Sequence, residues 1–172
     1  MTTLSTDLLG SLDVDPATGF ADDVRVAATG RTFWLDVTAE VAADPLLLAE
    51  VPALVDDLPR WEQAARAHLA ALLRSDDPGE LPGFVAAHLD PDLAPDLDPD
   101  GLLRRAEARF RASGDPAELL DRFALKALVV WRGAHGRVEH WLDLTLDAEH
   151  SDQVLCLKFG PERTVREVAW ES

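Results

Sequence analysis

Only one cysteine, Cys156, occurs among the 172 residues, so the chain can form no internal disulfide. No stretch approaches the roughly 20 consecutive apolar residues that cross a bilayer. The opening segment MTTLSTDLLG lacks the basic-then-apolar order of a secretory leader. These absences lead us to expect a cytoplasmic protein. Nucleotide chemistry has no foothold either, because neither the phosphate-cradling G-x-x-x-x-G-K nor the dinucleotide-binding G-x-G-x-x-G is present. The zinc-helix spacings H-x-x-x-H and H-E-x-x-H are missing as well. No cofactor is expected, and an enzyme is less expected than a binding protein.

Basic residues are scarce. Lysine and arginine number 16 against 32 aspartates and glutamates, for a net charge of -16. The imbalance is local: residues 1–100 carry 20 acidic and 5 basic side chains, residues 101–172 carry 12 and 11, and no basic residue lies between Arg74 and Arg104. Nucleic-acid affinity rests on Lys and Arg displacing counterions from phosphates. Nucleic acids and anionic membranes are therefore excluded as expected partners. A basic protein is the expected partner, with Asp90, Asp92 and Asp96 as its landing surface, although a merely solvated acidic face is the commoner meaning of such a run.

What is present is enough for one domain. A hydrophobic fraction of 47% is too high for a disordered chain, and periodicity divides residues 1–172 into three zones of a single α+β domain. Residues 1–40 hold a hairpin: Val24, Val26 and Ala28 alternate with polar neighbours, and after the turn ATGR so do Phe33, Leu35 and Val37. Residues 44–123 read as helices near 59–74, 81–89, 99–112 and 116–123. In the first of these Trp61, Ala65, His68, Leu69 and Leu72 share a face, while Glu62, Gln63, Arg66 and Arg74 point away. Residues 124–172 read as a meander of four strands, near 125–131, 138–146, 154–159 and 164–170, separated by RGAHGR, DAEHSD and GPER. The expected assembly is an antiparallel sheet, hairpin plus meander, with the helical segment packed on one face. Its edge strands make a homodimer a second partner expectation, unless Arg163 and Arg166 guard the edge.

Residues 96–107, DLDPDGLLRRAE, match the calcium-loop pattern through Asp96, Asp98, Asp100, Gly101 and Glu107. A different physical demand competes for the same segment. Six of the eleven prolines follow aspartate, Asp98-Pro99 among them. An Asp N-cap followed by proline at the first helical position is a ready-made helix start. We therefore expect a helix start here ahead of a calcium site. His68, His88 and His140 fall on or beside expected core faces, which is where three imidazoles could hold zinc or iron for a small metal-dependent hydrolase. Hydrogen-bonded histidines at the core edge are the commoner outcome.

Cys156, between Leu155 and Leu157, reads as a small buried hydrophobe, and EHSD as a turn despite its adjacent His150, Ser151 and Asp152. Glu139 and Asp143, with Asp147 beyond, share a strand face with Trp141, and a solvent-facing side is preferred to a carboxylate pair working in hydrolysis. Trp34, Trp131, Trp141 and Trp170 would form an aromatic binding surface if they share one exposed sheet face, and would be core if packed under helices.

The tail TLDAEHSDQVLCLKFGPERTVREVAWES, with its strand after an S/T-D pair, its V-L-x-x-x-F core, its turn and its terminal E-S, resembles that of an uncharacterised bacterial family of unknown function. FVAAHL and RWEQAARAHL extend the likeness a little. The resemblance implies a small cytosolic bacterial α+β protein and carries over no functional residue. The expected function is a non-enzymatic interaction protein, regulatory or immunity-like, with an acidic binding surface.

Overall fold

Two hairpins open the chain. β1 (Thr2–Thr6) and β2 (Gly10–Val14) pair antiparallel, burying Leu4, Leu12 and Val14. β3 (Phe20–Arg25) and β4 (Thr32–Val37) pair antiparallel through the expected turn, where Gly30 takes a left-handed φ of 71° that favours glycine. The computed structural model describes residues 1–90, 98, 100–146 and 151–171. Asp92 and Asp96 of the expected interaction surface, with Asp147 and His150, lie outside them.

Seven helices follow: α1 (Ala39–Ala42), α2 (Pro45–Leu48), α3 (Val51–Asp56), α4 (Leu58–Leu73), α5 (Leu81–Leu89), α6 (Leu102–Ser113) and α7 (Ala117–Leu120). Proline stands in the first turn of α2, α3, α4 and α5, where its missing N–H has no partner to lose. Asp44 caps α2 as the Asp-Pro logic requires, its Oδ1 accepting Leu46 N–H at 3.0 Å. Asp98 works differently. Helix α6 starts at Leu102 with left-handed Gly101 as its cap, and Asp98, itself at φ 61°, accepts Leu103 N–H at 2.7 Å and Arg104 N–H at 3.0 Å. The described helix starts at Leu102, with the Asp98 carboxylate accepting its first backbone N–H groups. Arg66 also departs from expectation: it points inward and donates to the carbonyls of Leu120 and Phe123, the latter at 2.7 Å, fastening α4 to the corner that precedes the next strand.

The chain then lays down β5 (Ala124–Arg132), β6 (Val138–Thr145), β7 (Val154–Phe159) and β8 (Val165–Glu171). A six-stranded sheet runs β3-β4-β5-β6-β7-β8, antiparallel except where β4 and β5 lie parallel across the helical crossover, and the β1-β2 hairpin stays apart as a two-stranded sheet. One face of the large sheet presents Leu35, Leu128, Leu142, Leu144, Leu155 and Leu157 to Val55, Leu58, Leu69, Leu81 and Phe84 of the helices, all buried. The fold is α+β with hairpin, helical segment and meander in the expected order. Among the described residues no helix is long and apolar enough to cross a membrane.

Candidate functional site

Strand alternation sends every second residue of the large sheet to the side opposite that core. The register fixes which residues stand together there. One row across the strands reads Asp23, Trp34, Ala127, Asp143, Cys156, Ala169, and the next reads Ala21, Asp36, Val129, Trp141, Lys158, Glu167. Trp131 stands on the same side, its ring 4.3 Å from that of Trp141 between centroids. The helices contact the other side, where α4 sets Trp61 against His140 and Phe159, and α5 sets Phe84 against Trp170. Three tryptophans therefore line the open face. Trp170 packs under α5 instead, its Nε1–H donating to Gln153 at 2.8 Å, so the four strand tryptophans are divided between the two sides.

Small residues make this face receptive. Ala127, Val129 and Ala169 leave the indoles standing above their neighbours, and Trp34 remains 41% exposed. Carboxylates alternate with the rings, Asp23 beside Trp34 and Asp143 two residues along the strand from Trp141. Burial pushes Asp143 up to about 6, against the hydrogen bonds from Cys156 and Trp141 that favour its charge. Burial also raises Asp36. Cys156 is buried, and that burial, with the Asp143 charge beside it, pushes its thiol well above the ordinary range. It is the inert small hydrophobe expected. The cation in these two rows, Lys158, gives its Nζ to Glu167 at 2.8 Å. Lys126 also acts on Asp143 through its charge, while its Nζ is given to the Ser151 carbonyl. The face thus offers flat π-surfaces next to carboxylates.

The structure does not gather His68, His88 and His140 around one centre. Among the described residues no group of three His, Cys, Asp or Glu side chains is placed to hold a metal. His68 is half-buried on α4, and desolvation lowers its pKa. His88, inside α5, bonds through Nδ1 to the Phe84 carbonyl at 2.9 Å and through Nε2 to Ser151 Oγ at 3.0 Å. A carbonyl only accepts, so Nδ1 carries the proton and Nε2 receives the Ser151 hydroxyl. Ser151 also accepts Gln153 N–H at 3.1 Å, which locks the start of β7 to α5. His140 sits in an aromatic cage, 4.2 Å from Trp61 and 5.3 Å from Phe159 between ring centroids, and burial lowers it to about 4.

The calcium-loop residues are otherwise engaged. Asp98 caps α6, Asp100 accepts Leu102 N–H at 3.1 Å, and Glu107 pairs with Arg111 one turn along the helix. The backbone is committed to a helix start where a loop would have to wrap an ion, and Asp96 lies outside the described residues. Asp90, the described member of the expected acidic surface, ends α5. Glu139, opposite Trp131, shares the face of Asp143 by alternation.

Sequence reading missed Asp23 and Asp36 as companions of the tryptophans, and Ser151 as the partner of His88 from 63 residues away. A signal existed for the first, since Asp36 follows Trp34 by two in an alternating strand. For the second there was none, because side chains so far apart meet only through the fold. Comparison with protein-family models, with curated proteins and with solved structures found no match.

Proposed function

We propose that this is a non-enzymatic protein-interaction protein, regulatory or immunity-like, whose open sheet face receives a basic partner. The observation that carries the reading is the interleaving of Trp34, Trp131 and Trp141 with Asp23, Asp36 and Asp143 on a face where Lys158 is paired with Glu167 and Lys126, which acts on Asp143, is bonded to the Ser151 carbonyl. An arginine stacks its guanidinium on an indole for about 0.5–2 kcal/mol, and presents its fork of donors to a neighbouring carboxylate. Tryptophan and arginine are also the residues that dominate binding energy at interfaces. The net charge of -16 adds long-range attraction for a basic surface and repels a second acidic copy. The sheet is a landing site distinct from Asp90, Asp92 and Asp96, two of which lie outside the described residues.

The test is calorimetric titration with an arginine-bearing peptide and with the same peptide carrying glutamine for arginine. Saturable, salt-sensitive binding of the first alone, reduced in Trp131→Ala and in Asp36→Asn, is the expected result. Equal binding of both peptides, or undiminished binding in the double variant, would overturn the reading.

A further inference from the structure

A second site, on the helix side, is built around the His140 cage. Between the start of α4, the start of β6 and the β7–β8 turn lies a cleft of about 360 Å³, within the span of roughly 300–1,000 Å³ typical of small-molecule sites. Its floor is Trp61, His140 and Phe159. Two ring nitrogens of that floor, His140 Nε2 and Trp61 Nε1, are shut from water without a hydrogen-bond partner among the described residues, and His140 is 6% exposed. Such an unpartnered buried group costs about 1–3 kcal/mol. Native structures tolerate few of them, so each calls for an explanation.

The turn beside the cleft is strained as well. Glu162 and Arg163 both hold φ at 58°, the left-handed region that disfavours side chains with a Cβ. Arg163 is pinned there, with its guanidinium 5.3 Å from the Trp61 ring and its Nε donating to Asp57 at 2.9 Å. Strain maintained this way at a cleft is a mark of function. The turn places Glu162 on the rim opposite Arg137, with Arg166 crossing Gly160 and Glu50 reaching in from the helical side. None of these four charged side chains has an ion-pair or hydrogen-bond partner among the described residues, and Glu139 adds a third carboxylate to the lining.

We infer that the cleft binds a small zwitterion with a flat apolar body, of the aromatic α-amino-acid class. The aromatic floor takes the ring by stacking. Arg137 and Arg166 meet the carboxylate, while Glu50 and Glu162 meet the ammonium. Glu139 borders both this site and the open sheet face, and neither proposal assigns it a role, so either can fail alone.

The experiment titrates the whole chain with L-phenylalanine, with phenethylamine, which lacks the carboxylate, and with 3-phenylpropionate, which lacks the ammonium. Indole N–H resonances report the contact. Saturable binding of L-phenylalanine with Kd at or below about 1 mM is expected, with each analogue at least roughly tenfold weaker and the Trp61 signal moving. Arg137→Gln with Arg166→Gln, two exposed changes that leave the core intact, should weaken L-phenylalanine about tenfold, and Trp131→Ala should not. Absence of saturable binding, equal affinity for a singly charged analogue, or full affinity in the double arginine variant would each overturn the inference.

Discussion

Strand β6 separates two chemical worlds three residues apart. His140 faces the helices inside a cage of rings, and Asp143 faces the open side beside Trp141. Burial drives both towards neutrality, lowering the histidine to about 4 and raising the aspartate to about 6. At neutral pH the consequences diverge. His140 is already uncharged, with its Nε2 left unsatisfied among the described residues, whereas Asp143 is ionised in surroundings that disfavour its charge. The difference teaches which side is finished: packing completes the helix side except at its cleft, while the open side keeps carboxylates that an incoming cation would relieve.

The largest expected effect that breaks this comparison comes from neighbours on opposite faces. Leu142→Ala, at a fully buried position, should cost about 2–5 kcal/mol in denaturant unfolding. Trp141→Ala should cost roughly 1–2 kcal/mol, because its ring is only half-buried, yet should remove most of the peptide affinity. Similar stability losses for the two would mean that the open face is a second core.

Next come the two titrating groups, whose signs oppose. Asp143 has a raised pKa, so the folded state holds the proton more tightly; its contribution is complete below the ordinary carboxylate range and is lost as pH rises through about 6. Asp143→Asn should raise stability at pH 7 by on the order of 1–3 kcal/mol and flatten that fall. His140 has a lowered pKa, so its contribution is present above the ordinary imidazole range and is lost as pH falls through about 4. His140→Phe should flatten the acid limb alone. Melting temperatures of both variants from pH 3 to pH 8, in steps of about half a unit, check this, and slopes of the same sign would break the contrast.

The smallest effects lie at the surface. Asp36→Asn should leave stability within about 1 kcal/mol of the parent while weakening the arginine peptide. Glu107→Gln, which removes a pair with the exposed Arg111, should change stability by at most about 1 kcal/mol, with no response to added calcium before or after. A calcium-induced rise in melting temperature lost in that variant would reinstate the loop.

Much of the architecture could be read from alternation and punctuation. α5 and β7 fall where periodicity places them, and Leu142 and Leu144 are buried while Trp141 and Asp143, on the side expected to be wet, are half-buried and Thr145 there is buried. The β1-β2 hairpin escaped because TTLST and GSLDV are short, the first with one apolar residue and the second with two, too few to set a clear period. The parallel pairing of β4 with β5 escaped because it joins strands separated by every helix in the chain. The tryptophan face was half legible. Alternation put Trp141 on the wet side of β6, but only the register of β4 on β5 and of β5 on β6 brings Trp34, Trp131 and Asp36 to the same side. The cleft was not legible at all, since Trp61 and His140 come from elements 79 residues apart and meet only after the meander closes.

The central claim divides the five tryptophans into three on the open face and two under the helices. The measurement that tests it most directly is a titration of the nitrogen-15-labelled protein with the arginine-bearing peptide, following the five assigned indole N–H signals. The expected result is movement of Trp34, Trp131 and Trp141 with one shared affinity, while Trp61 and Trp170 stay in place. Movement of Trp61 or Trp170 without the other three, or no movement of any indole while binding is detected calorimetrically, would contradict it.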